Sequence, residues 1–357
     1  MLENQETNLQ TETEVTQETQ EKKPCNLKVP GIIVGSIVLA MLVINIIPPA
    51  KVIENNPFVV ENGALPMIAA HRGGSINDPE NTLKAYRNAV ANYQIDIVES
   101  DVWLTKDNKL IYNHDESINR TTDVVSRTGK DQKHLVSDYT LEELKDFNFG
   151  YNFKDENGEY PYRNLPGLDG TNRQQVLKEN GLQVVEVGEL FNEFYTTKPD
   201  LKFIVEIKNP EDKGRKAAEI LDDLLTNTYP NYKNQLVVGT FNDEIEEDLR
   251  INHPTLLRGA SVGAAAGFVV TQMLKVNLFD FSSFACLQIP MSRKVGPISL
   301  KLDEKDYIDR AHRRNIAVQY WTINDREDME HLIDLGCDAI ITDNPKLLRE
   351  VLDARKA

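Results

Sequence analysis

From Pro66 to the C-terminus, short apolar runs alternate with stretches of helical period, and that rhythm leaves few folds open to the chain. The runs Met67–Ala70, Ile95–Trp103, Leu110–Asn113, Lys202–Ile207, Leu236–Thr240, Leu257–Gly259, Phe279–Ser283, Ala317–Thr322 and Ala339–Thr342 read as strands. Between them Gly214–Thr226 sets Ala217, Ile220, Leu221, Leu224 and Leu225 on one helical face. Asp303–Asn315, Asp325–Leu335 and Pro345–Ala354 are further helices, one starts at Asp243, and another is capped by Asp78 with Pro79 in its first turn. Strand-then-helix alternation means a parallel sheet, and this number of units favours a closed (β/α)8 barrel of the TIM type. The strand candidates exceed eight by one, with Leu257–Gly259 or Phe279–Ser283 as the surplus. The polar stretch 116–185 breaks the rhythm and reads as an insertion after strand three, with one short helix over Leu141–Phe147.

The N-terminal part is different. Residues 1–28 hold almost no large apolar side chain and read as a disordered cytoplasmic tail. The run 29–47 contains no charge, and at about 1.5 Å per residue such a helix spans roughly 28 Å, enough for a transmembrane signal anchor over 29–48. Lys22, Lys23 and Lys28 precede it, which directs the N-terminus to the cytoplasm and the barrel (66–357) to the extracytoplasmic side. Residues 49–65 read as a linker. A formal charge of −16 excludes wholesale nucleic-acid binding. The cysteines form no CxxC, and Cys286 and Cys337 read as buried thiols.

In a parallel barrel, chemistry sits at the C-terminal ends of the strands. His71 and Arg72 end the first strand, Glu99 and Asp101 the second, His114 the third, Glu206 and Lys208 the fourth. Side chains two apart share a face, so Glu99, Asp101 and Glu206 converge at one mouth. Three crowded carboxylates repel unless a cation lies among them, and an all-oxygen set suits Mg²⁺ or Ca²⁺. Arg72 and Lys208 can hold an anionic phosphodiester, and two imidazoles allow one to take a proton while the other gives one. Glu80 and Asn81 are supporting groups behind the ligands, Glu80 also being suited to a helix N-terminus, and Trp321 reads as a pocket wall. His134, His253, His312 and His331 are bystanders.

These residues carry a resemblance. His71-Arg72-Gly73, Pro79-Glu80-Asn81-Thr82, Glu99-Ser100-Asp101-Val102, His114-Asp115, Arg120-Thr121-Thr122, Glu206-Ile207-Lys208, Trp321-Thr322-Ile323-Asn324 and Thr342-Asp343-Asn344-Pro345 together resemble the glycerophosphodiester phosphodiesterases. The resemblance implies a phospholipase-C-like phosphodiesterase barrel, a metal at Glu99, Asp101 and Glu206, and His71 with His114 as the acid/base pair. It also implies cleavage of glycerophosphodiesters to glycerol 3-phosphate and an alcohol. Gly239-Thr240-Phe241 stands where the family often has Ser-Phe, and Val185-Glu186-Val187 replaces its usual Pro-Thr-Leu. Both departures bear on substrate preference. Two alternatives remain open at this point: a lysophospholipase D acting on lysolipids, and a non-catalytic barrel that binds glycerophosphate polymers.

Overall fold

The computed structural model describes residues 28–46, 49–275 and 280–356. The expected tail over 1–28 lies outside them except for Lys28, which belongs to a helix instead. Two units separate at Ile46/Ile47. The first contains a helix, α1, over Lys28–Ile46. Among the described residues no helix is long and apolar enough to cross a membrane, so the expected span is not borne out there.

The second unit is built on β1 (Met67–His71), β2 (Ile97–Leu104), β3 (Leu110–Tyr112), β4 (Lys202–Ile207), β5 (Leu236–Gly239), β6 (Leu257–Arg258), β7 (Cys286–Ile289), β8 (Ser292–Val295), β9 (Ile298–Lys301), β10 (Ala317–Tyr320) and β11 (Ala339–Thr342). Its helices include α2 (Leu83–Asn92), α3 (Val124–Thr128), α4 (Leu141–Leu144), α5 (Arg173–Glu179), α6 (Val187–Phe194), α7 (Glu211–Asp223) and α8 (Asp243–Asn252). They continue with α9 (Val262–Met273), α10 (Lys305–Arg313), α11 (Arg326–Leu335) and α12 (Pro345–Lys356). Among the described residues eight strands run parallel in the order β6-β5-β4-β2-β1-β11-β10-β7. The seam between β6 and β7 is bridged by Ala285 N–H to Arg258 O at 2.7 Å and Ala260 N–H to Cys286 O at 2.9 Å. This is a nearly closed (β/α)8 barrel.

Two expected strands need correction. Leu110–Tyr112 does not belong to the barrel, because β3 turns back and pairs antiparallel with β2. His114 therefore follows a hairpin rather than a barrel strand, and the 116–185 insertion hangs from that hairpin. The sixth barrel strand is Cys286–Ile289; Phe279 lies outside the described residues, and 280–283 has no strand structure. Leu257–Gly259 was not surplus, since β6 pairs with β5.

Period-two alternation sorts each barrel strand into two faces. Ala69, Ile97, Ile204, Val237, Cys286, Ala317, Ala339 and Ile341 pack inside the barrel. Ile68, Val98, Phe203, Val205, Val238, Leu287, Val318 and Ile340 pack outward against the helices. The segment read as a linker is docked. Phe58 is fully buried among the inward residues, and Asn56 Nδ2 donates to Ala285 O at 2.7 Å and Asn315 O at 2.9 Å. The insertion has its own small core of Ile118, Val124, Val136, Leu141, Leu144, Phe147 and Phe149, beside a buried Arg173–Asp123 ion pair.

Candidate active site

Continuing the inward parity toward the strands' C-terminal ends places the candidate residues. Ala69 leads to His71, Ile97 to Glu99 and Asp101, Ile204 to Glu206 and Lys208, Val237 to Gly239 and Phe241, Ala317 to Trp321, and Ile341 to Asp343. Register completes the grouping, with His71 opposite Glu99 and Asp101 opposite Glu206. All of these candidate residues except Asp343, together with Arg72 and His114, line a cavity of about 150 Å³. No residue of the 116–185 insertion lines it.

Glu99, Asp101 and Glu206 each bring a carboxylate oxygen within 4.8 Å of the others. Burial raises Glu99, the charge on His71 opposes this, and Asp101 and Glu206 add to it, so its carboxyl is pushed up to about 7. Burial and Asp101 also raise Glu206, against the pull of Lys208. The Lys208 ammonium lies 2.8 Å from Asp101 and 2.7 Å from Glu206; burial would lower its pKa, but the two carboxylates raise it. Asp101 Oδ2 is buried without a hydrogen-bond partner. A buried carboxylate oxygen without a hydrogen bond, with only the Arg72 Nε at 3.7 Å, beside two acids with raised pKa values fits a hard divalent cation, with Glu99, Asp101 and Glu206 as its ligands.

Both histidines are held at Nδ1. His71 Nδ1 lies 2.6 Å from Asp343 Oδ1, while its Nε2 is 3.8 Å from Glu99. Burial lowers its pKa, yet Glu99 and the Asp343 hydrogen bond outweigh that and raise it. Asp343 also accepts from Ser75 Oγ at 2.6 Å and Asn324 Nδ2 at 2.8 Å. Burial would raise this carboxyl, but the His71, Ser75 and Asn324 contacts hold it well below the usual range. His114 Nδ1 lies 2.7 Å from Asp115 Oδ1, and Asp115 Oδ2 accepts from Arg120 Nε at 2.7 Å.

Arg72 follows β1 at φ +53°, fixed by its N–H to Glu99 O at 2.8 Å. The next turn requires glycine: Gly73 and Gly74 sit at φ +83° and +93°, and a Cβ on Gly74 would lie 2.7 Å from the Pro345 ring. Helix α2 starts later than expected. Its cap is Thr82, whose Oγ1 accepts from Ala85 N–H at 3.2 Å, so Asp78 is not the cap and Glu80 is not in the helix. Glu80 instead receives Arg120 at 2.6 and 2.8 Å and lies 3.5 Å from Arg72. Asn81 Oδ1 accepts from Tyr86 OH, which also bonds Ser100 between Glu99 and Asp101. Trp321 faces Phe241, with ring centroids 6.1 Å apart, and the Lys208 ammonium is 5.5 Å from the Phe241 ring. Sequence reasoning assigned no place to Asp343, Asp115 or Arg120, although each stands in a quoted motif. The signal was adjacency: Asp115 follows His114, and Asp343 follows a strand that must pair with β1 to close the barrel.

The barrel thus gathers carboxylates, imidazoles and cationic side chains at one mouth, an arrangement suited to acid/base chemistry. Residues 71–347 match the model of the glycerophosphoryl diester phosphodiesterase family, and the chain belongs to that family. A glycerophosphodiester phosphodiesterase of Caldanaerobacter subterraneus subsp. tengcongensis is 26% identical over 289 residues, 79% of this chain and 96% of its own length. The human lysophospholipase D GDPD1 is 27% identical over 304 residues, 79% of this chain and 85% of its own length. The fold is shared with a phosphodiesterase of Oleispira antarctica in complex with the product sn-glycerol-3-phosphate, at TM-score 0.56 and 21% identity, covering 81% of this chain and 97% of that one.

Proposed function

We propose that the chain hydrolyses glycerophosphodiesters to glycerol 3-phosphate and an alcohol, with a divalent cation on Glu99, Asp101 and Glu206. The observation that carries this reading is the three-carboxylate cluster beside two histidines whose Nδ1 atoms are both engaged by carboxylates. Bound there, Mg²⁺ or Ca²⁺ supplies charge neutralisation and polarises a phosphoryl oxygen. Arg72 and Lys208 hold the anionic phosphate. With Nδ1 fixed, Nε2 is the nitrogen that moves protons: His71 takes one from the attacking hydroxyl and His114 gives one to the leaving alcohol. Residue types alone also permit the exchanged roles.

The second reading, lysophospholipid cleavage, draws support from Phe241, which is 55% exposed at the cavity and with Trp321 forms an aromatic wall that an acyl chain can lie against. The named activity of the human relative points the same way. The test strips purified full-length protein with chelator and follows glycerol 3-phosphate release from glycerophosphocholine and choline release from lysophosphatidylcholine. Release that needs added Mg²⁺ or Ca²⁺ and disappears in His71→Ala and Glu206→Ala is expected. Choline release from the lysolipid without turnover of the deacylated diester would favour the second reading. No release from either substrate would overturn both.

Residues 29–48 anchor the chain in a membrane, with the barrel on the extracytoplasmic side. Support comes from the uncharged run, the preceding lysines, and the exposure of Ile32, Ile33, Val34, Ile37, Val38 and Leu39 around α1. Carbonate extraction that frees the protein from membranes would end this reading.

A further inference from the structure

The backbone of His114 is tied to β2, through Asn113 N–H to Asp101 O at 3.0 Å and Trp103 Nε1 to His114 O at 3.2 Å. These contacts fix the residue and leave its ring free to rotate. What holds the ring is Asp115, and what holds Asp115 is Arg120. The Arg120 guanidinium spends Nε on Asp115 and both terminal nitrogens on Glu80, so each of its nitrogens has a carboxylate oxygen. Glu80 is only 11% exposed, whereas Arg120 is 48% exposed. The arginine thus reaches back from the insertion and closes over two carboxylates, one after β1 and one after β3. Its pKa is raised by the Glu80 and Asp115 hydrogen bonds despite burial, and Asp115 is lowered, with the Arg120 and His114 contacts outweighing its burial.

We propose that Arg120, anchored by Glu80, is a positioning residue for His114. It neither touches the cavity nor shares its lining. Its function is to orient the Asp115 carboxylate, so that Asp115 accepts Nδ1–H and Nε2 is kept toward the phosphodiester. A planar fork suits this task, because it satisfies two carboxylates of fixed separation at once; a lysine ammonium has no such geometry. The inference rests on the phosphodiesterase reading for its kinetic consequence, but its structural content does not.

Two measurements on the full-length protein separate those parts. In steady-state kinetics Arg120→Ala lowers kcat about three- to tenfold with KM within about twofold, no more than loss of the Asp115 carboxylate itself. In a His114→Ala background the same substitution has no further effect. An unchanged kcat, a raised KM alone, or an equal loss in the His114→Ala background would overturn the proposal. Independently of turnover, histidine side-chain NMR identifies the His114 Nδ1 proton by its loss in His114→Ala. Its exchange with water quickens about tenfold or more in Arg120→Ala, and less in Glu80→Gln, where Asp115 still holds the guanidinium. Unaltered exchange in Arg120→Ala would refute the positioning role even in an inactive protein. Thermal denaturation checks that both variants remain folded.

Discussion

The two histidines of the site are held by the same device made in two different ways. His71 and its carboxylate Asp343 follow from β1 and β11, neighbours in the barrel whose register is set by backbone hydrogen bonds, and Ser75 and Asn324 close around Asp343. His114 and Asp115 belong to a hairpin outside the barrel, about a third exposed, and are secured by an arginine that faces water. One arm takes its geometry from the fold and the other from surface charge. A scaffold can therefore guarantee one proton-transfer group while the second is left to a loop, where side chains are easier to change without loss of the barrel.

If the arms are chemically equal, removing either ring is the most damaging change. His71→Ala and His114→Ala should each lower kcat about 10²- to 10⁴-fold, and a difference beyond tenfold between them would break the equivalence. The supports should be unequal. Asp343→Asn, which disturbs a carboxylate with three partners in the barrel wall, should cost about 10²-fold in kcat, and Asp115→Asn about tenfold. Equal losses would mean that the fold protects neither arm better.

Stability should distinguish them next. The depressed pKa of Asp343 gives stability that is present above its unfolded value of about 3.9 and is lost as pH falls toward its native value. The raised pKa of His71 gives stability that is full below about 6.5 and is lost as pH rises through its native value. In chelated protein, the Tm difference between wild type and Asp343→Asn should thus be largest between about pH 4 and 6.5. A difference that grows below pH 4 would contradict the sign. The smallest expected effect is ionic. Raising salt from about 0.05 to 0.5 M should lower wild-type kcat about twofold through the Arg120 contacts, and this salt dependence should vanish in Arg120→Ala.

Much of the barrel and its mouth is legible in the sequence, because inward parity follows from period-two alternation alone. That is why Glu99, Asp101, Glu206, His71 and Lys208 come together as expected. Strand direction is not encoded in so local a way: Leu110-Ile111-Tyr112 is as apolar as a barrel strand, and only its pairing with Val102-Trp103-Leu104 makes it antiparallel. The start of α2 misleads for a similar reason. Asp78-Pro79 has the composition of a helix start, but Asn81 at φ +57° interrupts the chain before Thr82 caps it. Phe279–Ser283 reads as a strand by its apolar residues, whereas β7 begins later, at Cys286. Contacts between distant residues, such as Arg120 with Glu80, have no periodic signature.

The buried Phe58 has a further meaning for where this molecule begins. The match to the family model begins at residue 71, yet the inward core of the barrel includes a ring contributed thirteen positions earlier, and Val52 N–H is bonded to Arg314 O at 2.8 Å. The segment matched by the family model is therefore shorter than the unit that packs together. A fragment cut at residue 71 loses β1 together with this ring, whereas one cut before Val52 keeps both.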